Sequence, residues 1–173
     1  MVEMSKILVA RSADLGFVKV VGRGSFQNSG CLKAFYQQIL KEGVHRFIID
    51  LEACTYLDST FLGILLGLGL KLKEIGKGSL HVLNASPRNL ELLQNLGLDR
   101  LIQIDSTRAQ LNGKSVTENN LKEVICPMPT REEAAPTILE AHEALMEFDA
   151  RNVPKFKDVV EFLREDLGHT AGK

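Results

Sequence analysis

Hydrophobic and polar positions along the first 105 residues predict short strands that alternate with amphipathic helices. β-branched runs at 7–9 and 16–21, separated by the turn sequence SADL, predict a β-hairpin. The run RFIIDL at 46–51 shows little alternation, which is typical of a central strand covered on both faces. SLHVLNA and RLIQI predict two further strands. The predicted fold class is therefore α/β, with right-handed crossovers between the later strands.

Three helices are predicted between these strands, because apolar residues recur at helical spacing in each intervening segment. The second is expected from about Ser59 to Ile75. Each has a capping residue before it and a glycine after it: Ser29 and Gly43 for the first, Asp58 or Ser59 and Gly76 for the second, and Ser86 and Gly97 for the third. Helices and strands together predict one domain over residues 1–105.

The amino-acid composition of the chain changes after Asp105. Residues 106–130 are polar, turn-rich and proline-containing, and predict a linker. Residues 131–168 contain two apolar stripes at helical spacing and predict a C-terminal helical hairpin. Two short helices cannot bury a core alone, so the hairpin is expected to pack on the preceding domain or on the tail of a second chain. Of these two, a homodimer through the hairpin is the favoured prediction.

Composition excludes several classes of protein. Charged residues make up 25% of the chain and the net charge is −1, with no basic cluster, so a nucleic-acid partner is not expected. No apolar run is long enough to insert into a membrane, and the N-terminus does not resemble a secretory signal. The odd number and wide spacing of Cys31, Cys54 and Cys126 favour reduced thiols over a disulfide. These features predict a cytoplasmic protein.

Enzymatic and cofactor motifs are missing from the sequence. The four histidines stand at no metal-ligand spacing, and the glycines at 22–24 and 67–69 do not form a phosphate loop. Leu57 and Phe61 occupy the positions where a hydrolase nucleophile elbow around Ser59 would need glycine. We therefore expect no catalytic residues, no metal and no cofactor, and we expect that the protein is not an enzyme.

Three polar residues, Asp58, Ser59 and Thr60, stand directly before the apolar run of the second helix. They are explained by helix capping alone, because the first N–H groups of a helix lack intrahelical partners. The same position also suits a phosphorylated hydroxyl, which would meet those N–H groups and the positive end of the helix dipole. The sequence leaves both interpretations open.

A longer pattern around these residues resembles the STAS domain of bacterial anti-sigma factor antagonists. It comprises Asp50-Leu51 at a strand end, Asp58-Ser59 shortly after, LG at 62–63, NASP at 84–87 and LGLDRL before the last strand. The resemblance covers roughly residues 5–105. It implies a mixed sheet of four to five strands with helices mainly on one face.

The resemblance also implies a function. Ser59 matches the serine that a partner anti-sigma factor with serine kinase activity phosphorylates, with Thr60 as a secondary candidate. Asp58, Ser59, Thr60 and Phe61 would then form the partner-binding surface of a signalling protein in transcription regulation. The alternative is a constitutive STAS scaffold or adaptor subunit of a transporter or signalling assembly, without a phosphorylation switch; sensing of a small ligand is a third hypothesis.

Overall fold

A computed structural model describes residues 4–105 and 120–171 of the chain. The strands are β1 (Lys6–Arg11), β2 (Leu15–Gly24), β3 (Arg46–Asp50), β4 (Cys54–Leu57), β5 (Ser79–Leu83), β6 (Gln103–Asp105) and β7 (Lys122–Val124). The helices are α1 (Phe26–Lys41), α2 (Ser59–Ile75), α3 (Pro87–Asn95), α4 (Arg131–Phe148) and α5 (Val153–Ala171). The predicted α/β class is confirmed.

The strands form one mixed sheet in the order β6-β5-β3-β2-β1-β7, and β4 pairs with the end of β2. β1 is antiparallel to both β2 and β7, so the predicted N-terminal hairpin is confirmed. The pairs β2–β3, β3–β5 and β5–β6 are parallel and are connected through helices. Two short strands extend the expected set: β4, between β3 and α2, and β7, within the expected linker.

The core lies mainly between the sheet and the helices. Phe47 and Ile49 of β3 face this main cluster, which includes residues of α1, α2 and α4. Ile48, between them, faces the opposite side and packs with Phe17 and Leu83 in a small cluster made of strand residues. Residues on both faces of the central strand are therefore buried, as its sequence predicts, with the helices gathered on one face.

The first helix begins earlier than its sequence suggested. Its cap is Ser25, whose side chain accepts a hydrogen bond from the backbone of the first turn while Asn28 bonds back to the Ser25 N–H at 2.9 Å. Ser29, the expected cap, is buried inside the first turn. The expectation was wrong because the Ser25–Asn28 box satisfies the end N–H groups one turn earlier. The predicted bounds of α2, closed by Gly76 at φ 80°, are confirmed.

The C-terminal helices α4 and α5 form the predicted helical hairpin, and they pack on their own domain. Ala141 and Leu145 of α4 are fully buried and belong to the main core. The apolar stripe of α4 is thus covered within one chain, whereas Val159 of the α5 stripe is 42% exposed, so a homodimer through the hairpin stays a prediction. Of the expected linker, residues 106–119 lie outside the described residues.

Candidate functional site

Asp58 joins the first turns of two helices. It is the N-cap of α2, and its Oδ1 accepts a hydrogen bond from the Phe61 N–H at 2.8 Å. Its Oδ2 accepts from the Phe26 N–H, at the start of α1, also at 2.8 Å. Both carboxylate oxygens therefore satisfy backbone donors that their helices cannot satisfy. Of the two residues that could cap α2, Asp58 is the one that does, which leaves the Ser59 side chain free for another contact.

The Ser59 hydroxyl makes that contact with the C-terminal hairpin. Ser59 is half-buried at the first position of α2, and its Oγ lies 2.8 Å from Nε2 of His142 on α4. The other ring nitrogen of His142, Nδ1, lies 2.6 Å from the carbonyl oxygen of Ile138. Because a carbonyl oxygen only accepts hydrogen bonds, Nδ1 carries a proton; in the tautomer protonated at Nδ1 alone, Nε2 accepts from the Ser59 hydroxyl.

His142 is held rigidly in this position. It is 5% exposed, and its ring packs edge-on against Phe156 of α5, with 4.9 Å between centroids. Sequence reasoning weighed His142 only as a metal ligand and missed this role. The sequence did contain a signal for this role: His142 follows Ala141 directly and lies four residues after Ile138, which places it on the apolar stripe of the predicted helix. A polar residue on such a stripe needs a buried partner.

A glycine brings α4 close enough for this hydrogen bond. Gly63 lies one turn after Ser59, and a Cβ there would sit 2.5 Å from the backbone oxygen of Ala141. The helices α2 and α4 therefore touch backbone to backbone at Gly63 and Ala141.

Thr60 and Phe61 lie inside the fold. Thr60 is 4% exposed and Phe61 is fully buried in the main core. Neither side chain offers a surface to a partner in this conformation, so the expected partner-binding set narrows to Asp58 and Ser59. Ser59 is itself partly covered by α4.

Polar contacts fix the far end of the hairpin to the domain. Asn152, fully buried between α4 and α5, donates hydrogen bonds to the carbonyls of Leu96 at 3.0 Å and Leu145 at 2.9 Å. Asp149 forms an ion pair with Arg100 at 2.8 Å. The side-chain and backbone hydrogen bonds from the neighbouring Arg151 lower the pKa of Asp149 to about 2. Asp149 therefore stays ionised well into the acid range.

A disulfide ties the hairpin to α1 at its near end. Cys31 of α1 and Cys126, in the segment before α4, are joined, with Cα atoms 5.9 Å apart. The expectation that both are reduced thiols was wrong, because the fold brings together two residues that are 95 positions apart in sequence. Cys54 is buried and is not part of a disulfide. The argument from cysteine usage for a cytoplasmic location therefore no longer applies.

Within residues 4–105 and 120–171, no group of three His, Cys, Asp or Glu side chains could hold a metal ion. In the same part of the chain, no helix is long and apolar enough to cross a membrane.

Comparison with known proteins gives one family. The model of the STAS domain matches residues 6–111, more than half of the chain. The match ends before β7, so the disulfide partner Cys126 and the hairpin with His142 lie outside it.

Solved structures share the fold. The anti-sigma factor antagonist SpoIIAA in its unphosphorylated form aligns with a TM-score of 0.54 at 17% identity, covering 61% of this chain and 92% of SpoIIAA. SpoIIAA of Bacillus in its phosphorylated form aligns with a TM-score of 0.51 at 18% identity, covering 61% and 96%. A STAS domain protein from Planctomyces limnophilus gives 0.54 at 21% identity, covering 62% and 95%. At these identities the likeness concerns the fold.

Proposed function

The chain belongs to the STAS domain family, and on that premise we propose that it is a non-enzymatic, partner-switching protein of the anti-sigma factor antagonist type, regulated by phosphorylation of Ser59. Its partner is a protein, an anti-sigma factor with serine kinase activity or a related regulator. Such a kinase has its nucleotide substrate in a bacterial cytoplasm, and in that reducing compartment the disulfide between Cys31 and Cys126 would form only transiently.

The observation that carries the proposal is the position of Ser59. Its hydroxyl stands at the first residue of α2, directly after the capping Asp58, and Ser59 is half-buried rather than sealed in the core. A phosphate there meets helix N–H groups and the positive end of the helix dipole, so it can be accommodated without unfolding α2. SpoIIAA, which shares the fold, has been solved with and without phosphate.

The switch works through charge. In the phosphorylation step, the γ-phosphoryl group of ATP is transferred to Oγ of Ser59, ADP leaves, and the hydroxyl proton passes to a base of the kinase. The product carries about −1.5 to −2 charges beside the carboxylate of Asp58. A partner surface that fits the neutral serine would be opposed by repulsion and by the cost of desolvating the phosphate. The unphosphorylated form therefore binds, and the phosphorylated form dissociates.

Partner binding by three variants tests this function. Ser59→Ala should retain the partner and resist phosphorylation, whereas Ser59→Asp should lose most of the binding with its fold intact. Ser12→Asp, which adds the same charge at an exposed serine in the β1–β2 turn, is the matched control and should bind like the wild type. Equal binding by Ser59→Ala and Ser59→Asp would refute the switch.

One observation favours the second candidate function, a constitutive scaffold or adaptor. The Ser59 hydroxyl is already engaged by His142, as a purely structural serine would be. For this function all variants at Ser59 should retain the partner, and the native protein should carry no phosphate.

A further inference from the structure

The hydrogen bond between Ser59 and His142 has a steric consequence for any modification of Ser59. Nε2 lies 2.8 Å from Oγ, within hydrogen-bond distance. A phosphoryl group on Oγ would need that space. His142 cannot simply turn aside, because Nδ1 is bonded to Ile138 and the ring is packed on Phe156.

The backbone around His142 belongs to the continuous helix α4, whose hydrogen bonds resist a local displacement. The preceding residue, Ala141, lies against Gly63 without room for a single added carbon. Displacing His142 from Ser59 therefore requires α4 to move as a whole away from α2. Closure of the hairpin and a modified Ser59 exclude each other.

From this exclusion we infer that the hairpin α4–α5 is a gate on Ser59, and that modification of Ser59 and release of the hairpin are coupled. This inference rests on the proposed function, because it describes how that same serine is controlled. A closed hairpin withholds the hydroxyl from a kinase, and a phosphate, once added, holds the hairpin open. Since coupling between two events is reciprocal, whatever opens the hairpin promotes modification.

The disulfide keeps the gate near its site. Cys126 is bonded to Cys31 of α1, and α4 begins only a few residues later at Arg131. An opened hairpin thus remains tethered beside α1 and α2, at a high local concentration for closing again. Lys33 of α1, paired with Glu140 of α4, adds a contact that must break on opening.

Opening of the hairpin would also change the surface that is available to partner proteins. Ala141 and Leu145, buried against the domain in the closed state, would become exposed together with the face of α2 that contains Gly63. Phosphorylation would then reveal an apolar helix face as well as remove the neutral serine surface. The hairpin would therefore restrict phosphorylation of Ser59 when closed and expose a new apolar surface when open.

Alkylation of the full-length variant Ser59→Cys tests the gate without any partner or kinase. In the reaction, the thiolate displaces iodide from iodoacetate and leaves a negatively charged carboxymethyl group on position 59. The alkylation rate at position 59 in the folded variant should be at least about ten-fold lower than the rate in the unfolded chain. Cys31 and Cys126 do not react as a disulfide, and buried Cys54 reports unfolding by becoming labelled.

A second substitution should open the gate. In the Ser59→Cys background, Ala141→Leu places bulk against Gly63 and should raise the alkylation rate about ten-fold or more, with Cys54 still unlabelled. The matched control, Ala150→Leu, makes the same change at an exposed position of the hairpin and should leave the rate unchanged. If Ala141→Leu labels Cys54, His142→Ala, which adds no bulk, replaces it and should also raise the rate.

Carboxymethylated protein tests the reverse direction of the coupling. Hydrogen exchange along α4 should be faster after modification of position 59 than before it. Fast alkylation of Ser59→Cys in the folded parent, or unchanged exchange of α4 after modification, would overturn the gate. A gate that passes these tests in a protein that never carries phosphate would instead refute the proposed function alone.

Discussion

Replacing Gly63 by alanine probes the contact on which the site is built. The added Cβ would lie 2.5 Å from the Ala141 backbone oxygen, so α4 has to shift as a body. Overpacking of this kind costs about 1–3 kcal/mol. Alanine recovers about 1 kcal/mol of helix propensity relative to glycine. We therefore expect Gly63→Ala to lower the free energy of unfolding by up to about 2 kcal/mol.

Gly67→Ala is the matched control, because it makes the same change one turn later in the same helix. Its Cβ would meet its nearest neighbour, the Tyr36 hydroxyl, at an ordinary 3.5 Å. This variant should gain about 0.5–1 kcal/mol from helix propensity alone. The opposite signs should appear in urea denaturation curves and as melting-point shifts of about 2–4 °C per kcal/mol. Two variants of equal stability would refute the backbone contact between α2 and α4.

Three further predictions concern the attachment of the hairpin. Cys31→Ser should lower the free energy of unfolding by up to about 4–5 kcal/mol, since the disulfide closes a loop between residues 95 positions apart; reducing and non-reducing denaturation curves measure this. Asn152→Ala removes donors from two buried carbonyls and should cost about 2–4 kcal/mol, measured in the same way. Asp149, with its pKa lowered to about 2, stabilises the fold at pH values above the ordinary carboxyl pKa near 4. This stabilisation should be lost as the pH falls from about 4 to 2. Asp149→Asn should remove that part of the pH dependence, as measured by thermal melts.

Elements with local signals could be predicted from the sequence. The bounds of α2 and α3 follow from a capping side chain, a proline or a glycine within a few residues of each end. The start of α1 was misplaced because two serines competed, and only the tertiary backbone shows that Ser25 forms the capping box. Such competition is decided by which N–H groups remain unsatisfied.

Features that depend on distant residues could not be predicted in the same way. Strands β4 and β7 have four and three residues, too few for a recognisable alternation, and form because β2 and β1 offer free edges to pair with. The pairing of Cys31 with Cys126 needed the path of the tail over α1.

The residues of the candidate site fall into the same two groups, those with local signals and those that depend on distant residues. Asp58 and Ser59 could be located because helix-start chemistry is local. His142 is 83 residues from Ser59, and its role depends on Gly63 admitting α4. Burial of Phe61 likewise follows from the packing of α2 rather than from its neighbours in sequence.

Phosphosite mapping of the protein isolated from its native cells tests the central claim most directly. Intact mass and fragment spectra should be recorded under several growth conditions, with Thr60 resolved from Ser59. The account predicts a fraction of molecules that carry one phosphate, located on Ser59. Protein without phosphate at Ser59 under every condition would contradict it.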